Sequence, residues 1–570
     1  MRIMIQESSD PGLEVLERGR RALVRGAWEE AVDSLRAAAE ESPADATAWE
    51  LLGTAHMWRQ ETDSAIEARQ QAYALYRDRG DDLSSARVAL ELAEAFFEAR
   101  GEAAVANGWL QRARRLLEEL PPSGEHALLK VWDCYMVLMG EGDPATAEAH
   151  AAEGVAIARK SEARDVGILA LALQGLSQVG QGRAHEGLDL LDEAAAAAMG
   201  GEVTDPQWFY LTCCCMIDAC DQVRDYERSM EWCHRLREFC DRWQIQAFRT
   251  ACRIKYTGAL LWRGEWVQCE EELERAVAEL RRDRPSAVTG ALVRLAELRR
   301  RQGRLDRAEE LLEEARGHPM TSQVRAELAL DRDDPASAAE IAEALLRRLP
   351  ESARTERVAA LEILVRAQTE LKQVEEARTG ASELTSIADQ VNTPALRAAS
   401  LVVRGLTAGA ALKHEEAKDL LEDAVHLFED ANARFAAARA RLDVARSLAA
   451  LGRDSAALSE TRTALRLLEE MGAEAEAERA RRLLDRVESG TAGSEQAPAV
   501  RTNKPRRGPL TRRQREVLAL VAEGLSDREI AARLYLSEHT VHRHMANLMS
   551  RLEVNSRSAA VARGVREGLI

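Results

Sequence analysis

The chain has 570 residues, a composition dominated by Ala, Leu, Glu and Arg, only 4% aromatics and no run of alternating β-branched residues, so it reads as all-α. No apolar run approaches the roughly eighteen residues of a membrane span, and the opening MRIMIQESSD lacks a signal peptide's apolar core, so no membrane association and a cytoplasmic location are expected. The net charge of −18 is unevenly spread: residues 501–570 hold 14 basic and 7 acidic side chains, a net of +7, which leaves −25 for residues 1–500. Only the short basic end suits a polyanion; the acidic body would repel one and stay soluble.

The body repeats itself. Gly26-Ala-Trp28-Glu-Glu-Ala31 is echoed by Gly264-Glu-Trp266-Val-Gln-Cys269 and by Gly303-Arg-Leu305-Asp-Arg-Ala308. Each is followed by Leu35, Leu273 or Leu312, and then by Ala38, Ala276 or Ala315. Near the start the interval is thirty-four residues (Gly19 to Gly53, Ala31 to Ala65, Ala38 to Ala72). Later it is forty (Ala377, Ala417 and Ala457; Ala424 and Ala464). Small residues let two helices cross closely while Leu or Trp fills the space beside them, and a glycine makes the turn. One such hairpin cannot bury its apolar face alone. Stacked hairpins coil into a superhelix with a concave inner wall, expected from about Pro11 to Val487.

The thirty-four-residue units, with Trp49-Glu-Leu-Leu52-Gly53 followed by Ala65 and Ala72, resemble tetratricopeptide repeats, which implies a right-handed helical-hairpin superhelix. The forty-residue units resemble the looser repeats of large MalT-like regulators. That resemblance implies a groove for a peptide, a protein or a small-molecule effector without saying which. The last repeat helix, Glu474–Val487, is rich in Arg and Glu and reads as a polar terminal cap.

All nine cysteines lie between Cys134 and Cys269, with Cys213-Cys214-Cys215 in a row and Cys233 and Cys240 seven apart on one helix side. No C-x-x-C spacing occurs, so packing as small hydrophobes is favoured over metal or redox sensing. All ten tryptophans precede Val267. Two readings stand for them: an effector pocket around Trp208–Trp266, or filling of the repeat cores, as Trp28 and Trp266 are placed to do. The chain has no Gly-Lys dipeptide, hence no phosphate-binding loop, and neither H-E-x-x-H nor G-x-S-x-G. His56 and His414 read as ordinary helix residues. No catalytic residue, cofactor or metal ligand is expected, and the protein is not read as an enzyme.

Three segments result: a helical-repeat sensor or interaction domain over 1–488, a flexible Gly-, Ser- and Pro-rich linker over 489–509, and a small domain over 510–570. Lys504, Arg506 and Arg507 serve either as a phosphate-touching arm or only to keep the linker soluble. From Leu510, four short helices open on capping side chains. Thr511 with Gln514 starts Arg512–Glu523, which ends at Gly524; Ser526 with Glu529 starts a helix through Leu534. Tyr535-Leu536 makes a turn, Ser537 caps a third helix from Glu538 to about Leu552, and Ser556 opens a fourth. On the third helix Val541, Met545, Leu548 and Leu552 share one side; His539, Arg543, Ala546 and Ser550 lie opposite, flanked by His542 and Asn547. Two short helices across a tight turn, the second polar on one face, describe a helix-turn-helix. Its outer face suits a major groove, where Arg reads guanine and Asn reads adenine; the plainer reading is a solvated face.

The segment resembles the LuxR-type helix-turn-helix family. Leu510, Thr511, Arg513, Val517, Leu518, Gly524, Ser526, Glu529, Ile530, Ala531, Leu534, Ser537, Thr540, Val541, His544, Leu552, Val554, Arg557, Ala560 and Val561 match its pattern. Gln514 departs from the usual Glu, His542 from Lys and Glu553 from Gly. The resemblance implies a four-helix DNA-binding domain that dimerises through its fourth helix, with Ala560 and Gly564 on the dimer face. Ser537 and Thr540, near the third helix's N-terminus, are expected to meet phosphate, and His539, His542, Arg543 and Asn547 to face the bases. Arg551 and Arg557 are expected to hold the DNA backbone. The ATPase domain that MalT-like regulators carry ahead of their repeats is absent. The implied function is a transcriptional regulator, a homodimer on an inverted-repeat operator, whose repeat body controls the DNA-binding head. The alternative is a repeat scaffold or adaptor with a weak or silent head, which His542 and Glu553 keep open.

Overall fold

The computed structural model describes residues 11–243, 245–283, 287–489 and 512–534, then 541, 544–545, 548–549, 552, 554, 557–566 and 568–569. It divides into two compact units, Met1–Glu488 and Ser489–Ile570. Every regular element among the described residues is helical, and no strand occurs among them.

The described residues of the first unit form twenty-five α-helices, from α1 (Pro11–Val24) to α25 (Glu474–Glu488). Consecutive helices pack as hairpins, and odd-numbered helices touch one another along almost the whole body, so the odd helices form the inner wall of a tetratricopeptide-like superhelix. The repeated small residues sit where the spacing places them. Ala31, Ala65, Ala72, Ala276, Ala308, Ala377, Ala417 and Ala457 have no exposed surface, and neither do Leu35, Leu273 and Leu312. A Cβ added at Gly19 would lie 2.6 Å from the Leu35 side chain, which is why only hydrogen fits at that crossing. Gly26, Gly264 and Gly303 make the hairpin turns with φ of +70°, +78° and +77°. Where Asp-Pro occurs, it starts a helix. Asp143, Asp205 and Asp334 accept hydrogen bonds from the N–H groups of Ala145, Gln207 and Ser337, and the following prolines take the first helical position.

The winding has a fixed period. Helices ten apart in sequence meet: α9 (Arg164–Gly180) with α19 (Arg354–Glu370), α10 (Ala184–Met199) with α20 (Val374–Val391), α13 (Gln246–Arg263) with α23 (Arg434–Ala450), and α15 (Val288–Arg301) with α25. The superhelix therefore returns on itself after five hairpins. Hydrogen bonds stitch the successive turns together. The Thr355 hydroxyl donates to the Gly180 carbonyl at 3.2 Å, Thr393 to Val223 at 2.7 Å, and the Trp262 indole N–H to Ala431 at 3.0 Å.

Charge fills much of the inner wall. Arg300 of α15, only 3% exposed, pairs with Glu297 at 2.9 Å and with Asp331 of α17 (Thr321–Asp331) at 2.5 Å. Arg479 of α25 reaches the same Asp331 at 3.4 Å, and Arg439 of α23 pairs with Glu476 of α25 at 3.3 Å. Burial pushes Glu297 and Glu476 upward, but the arginines around them more than offset it and hold both at about 2. Ala477, Ala480, Leu483 and Val487 of α25 are buried, while Glu474, Glu478, Arg482, Asp485, Arg486 and Glu488 stay exposed, the polar outer side of a terminal cap; Arg479 also reaches back to α17.

Toward the N-terminus the balance tips to acid. Glu91 and Glu94 lie on α5 (Asp82–Glu94), and burial pushes both up to about 7 although Arg69 pulls the other way. Glu94, 8% exposed, accepts a hydrogen bond from Gln207 of α11 (Pro206–Val223), 113 residues later. A carboxyl with a raised folded pKa stabilises most below its unfolded value of 4.5, and that contribution is lost as pH rises through about 7. Glu94→Gln is therefore expected to raise stability at pH 8 by about 1–3 kcal/mol and to leave it nearly unchanged at pH 5. Urea unfolding of both proteins at the two pH values checks this; equal shifts at both would remove the buried-acid account.

Candidate functional site

The second unit is built on its own core. Val517, Leu518, Ile530, Val541, Met545, Leu548, Leu552 and Ala560 are buried together. Helix α26 (Arg512–Ala522) ends at Gly524, whose φ of +86° lets Leu525 N–H donate back to the Leu520 carbonyl at 3.2 Å. The next helix, α27 (Asp527–Leu534), starts in a complete capping box. Glu529 Oε2 accepts from the Ser526 N–H at 2.8 Å and from its hydroxyl at 2.7 Å, while the Glu529 N–H donates to Ser526 Oγ at 3.3 Å. Those bonds also hold the Glu529 carboxyl below its usual range. Thr511, the partner expected for Gln514, lies outside the described residues, and Gln514 itself is buried.

Val541, His544, Met545, Leu548 and Met549 are helical, and the stripe Val541, Met545, Leu548 and Leu552 turns into the core as the spacing requires. Ser537, His539, Thr540, His542, Arg543, Asn547 and Arg551 lie outside the described residues, as do Tyr535, Leu536 and Glu553. Arg557 is described, and it opens α28 (Arg557–Arg566). It forms an ion pair with Asp527 and donates to the Leu525 carbonyl at 3.1 Å, so it clamps the start of α27 while its side chain stays 39% exposed. Ala560, with no exposed surface, packs into the head's own core, and Gly564 is buried as well. Helix α28 packs against α26 and leaves Ala562, Val565 (61% exposed) and Arg566 exposed.

In the body, all nine cysteines are buried and unbridged. Burial pushes the Cys214, Cys233 and Cys269 thiols up to about 12, and their side chains pack in the apolar interior. Among the described residues no group of three or more His, Cys, Asp or Glu side chains is arranged to hold a metal ion. None of the described helices is long and apolar enough to cross a membrane. Some tryptophans join turns and others fill their own repeats, as Trp132 does beside Tyr135 and Trp109 against Tyr73. Trp266 is buried against Phe435 at 5.3 Å, Trp262 lies between Tyr226 (4.7 Å) and Phe428 (6.2 Å), and Trp28 stacks on Trp243. Trp208 and Trp232 pack beside the cysteine cluster of α11 and α12 (Tyr226–Trp243). Sequence spacing could not find the turn-joining pairs, because Trp28 and Trp243 lie ten helices apart and Trp262 and Trp266 lie nine from Phe428 and Phe435.

A capped two-helix turn, a third helix with one face buried in a separate core and a fourth clamped back onto the second define a helix-turn-helix DNA-binding domain attached to a tetratricopeptide-like repeat body. Residues 508–563 match the family described as bacterial regulatory proteins, luxR family. The spore germination protein GerE of Bacillus subtilis (strain 168) is 44% identical over 59 residues, 10% of this chain and 80% of GerE. The chain belongs to the LuxR family. The transcriptional regulatory protein DegU of Brevibacillus brevis is 43% identical over 61 residues, 11% of this chain and 26% of DegU, so the chain spans about a quarter of that relative's length. The crystal structure of the APC/C hetero-tetramer Cut9–Hcn1 aligns with 84% of this chain and 96% of its own at 12% identity and a TM-score of 0.48.

Proposed function

We propose that this LuxR-family protein is a cytoplasmic transcriptional regulator, not an enzyme, whose repeat body receives an effector or protein partner and thereby controls a DNA-binding head. The observation that carries the reading is the buried stripe Val541, Met545, Leu548 and Leu552. With that side of the helix turned into the core, the opposite side, which bears His539 and Arg543, is the one left for a major groove. Ser537 and Thr540 then meet phosphate at the helix N-terminus, His542, Arg543 and Asn547 read base edges, and Arg551 holds the backbone. Arg557 acts at one remove, by fixing α27. A dimer on an inverted repeat would use the Val565 side of α28.

Selection of the full chain on randomised duplexes is expected to return an inverted repeat. Arg543→Ala should lower discrimination at one base pair per half-site by about 1–3 kcal/mol and leave binding to random DNA nearly unchanged. Equal losses on selected and random DNA would make Arg543 a phosphate contact. No preference among duplexes at modest salt would sink the regulator reading and leave a repeat scaffold.

A further inference from the structure

The outer wall of the acidic body carries a cationic hollow. It is a cavity of about 400 Å³ between α4 (Thr62–Asp78) and α6 (Ala103–Leu117), lined by Tyr73, Arg77, Asp82, Arg112, Arg115 and Leu116. Both helices are even-numbered and so stand on the far side from the inner wall. Three arginines and one carboxylate give the lining an excess of two positive charges, in a body whose residues 1–500 sum to −25.

The partners of these side chains show which of them are free. Arg77 forms an ion pair with Asp82, the first residue of α5, so the only carboxylate of the lining is already committed. Arg114 turns elsewhere, to Asp133 at 2.6 Å. Among the described residues, Arg112 and Arg115 have no carboxylate within 4.0 Å, although Glu118 and Glu119 follow closely in the chain. Aromatic rings hold Arg112 instead. Its guanidinium lies over Trp109 at 5.0 Å and over Tyr73 at 6.0 Å, and the two rings meet edge-on at 5.1 Å. The Tyr73 hydroxyl also has no hydrogen-bond partner among the described residues. The hollow thus offers two unspent guanidinium groups and a phenol, all able to donate, and no unspent acceptor.

We propose that this hollow is a binding site for a small phosphate monoester. A carboxylate brings one charge and two oxygens, which a single guanidinium fork satisfies. A phosphoryl group brings three acceptor oxygens and close to two charges at neutral pH, which matches two unpaired cations and a phenol. Arg112 and Arg115 take phosphoryl oxygens from α6, the Tyr73 hydroxyl donates from α4, and the organic part of the ester lies along half-buried Leu116. Because the rings already fix Arg112, little side-chain freedom is lost on binding. The site belongs to the body alone and does not depend on whether the head binds DNA.

Calorimetric titration of the full chain with phenyl phosphate, inorganic phosphate and benzoate tests the site. Phenyl phosphate should bind, and Arg112→Ala or Arg115→Ala should each weaken it about tenfold, with Tyr73→Phe losing less. The double variant Arg112→Ala/Arg115→Ala should lose this binding while keeping the wild-type melting temperature, since both side chains are exposed and unpaired. Benzoate should bind at least about tenfold more weakly than phenyl phosphate. No binding of phenyl phosphate, or unchanged affinity in the double variant, would overturn the site. Benzoate binding as tightly would reduce it to a patch for any anion, and inorganic phosphate binding as tightly would remove the ester; either result also overturns the proposal.

Discussion

Leu548→Ala is expected to unfold the head and abolish DNA binding while leaving the body intact. Leu548 has no exposed surface and sits among Val517, Leu518, Ile530 and Val541. Removing its side chain from such a site costs about 2–5 kcal/mol. A domain of roughly sixty residues has little more than that to lose. The body has its own clusters and shares none of these residues. Calorimetry should therefore show the body's transition unmoved and the head's missing, and a gel shift should show no complex. Wild-type DNA affinity in this variant would mean that the stripe facing the core does not hold the reading helix in place.

The second large effect is expected in the body. Arg300→Ala leaves Glu297, Asp331 and Glu327 around a site that has lost its shared counter-charge. Breaking a buried network from one side costs about 3–5 kcal/mol, because the stranded charges stay out of water. The sign with pH follows from Glu297, which the arginines hold at about 2 against its usual 4.5. That stability is present above 4.5 and lost as pH falls toward 2, so the gap between wild type and variant should be wide at pH 7 and narrow by about pH 3. Urea titrations at the two pH values measure it. A gap that stays constant would assign the loss to packing of the Arg300 stem instead.

What could be read from the sequence was local. Ala31 to Ala65, Ala377 to Ala417 and the turn glycines Gly26, Gly264 and Gly303 gave the hairpins, because a close crossing and a left-handed turn each leave a mark within one repeat. Ser526 with Glu529, Gly524 and the stripe from Val541 to Leu552 were legible for the same reason. Contacts between turns left no such mark. A Trp at the start of a helix looks alike whether it fills its own repeat or, as Trp28 does, stacks on a ring 215 residues away. The tie from Arg479 of α25 back to Asp331 of α17 left no mark either, because the two positions have no periodic relation. Ala560 and Gly564 are ambiguous in the sequence, because a small residue fits a contact inside the head as well as one between heads.

The ten-helix return also sets the permitted lengths of the body. The seams pair helices ten steps apart, so excising a single internal hairpin would slide downstream partners out of phase and set Trp262, Thr355 and Thr393 against strangers. Trimming from an end would preserve the phase of whatever remained. Duplication and loss of repeats in such a chain are therefore constrained like the teeth of a gear, and shortened variants meant to stay wound should be cut at the termini.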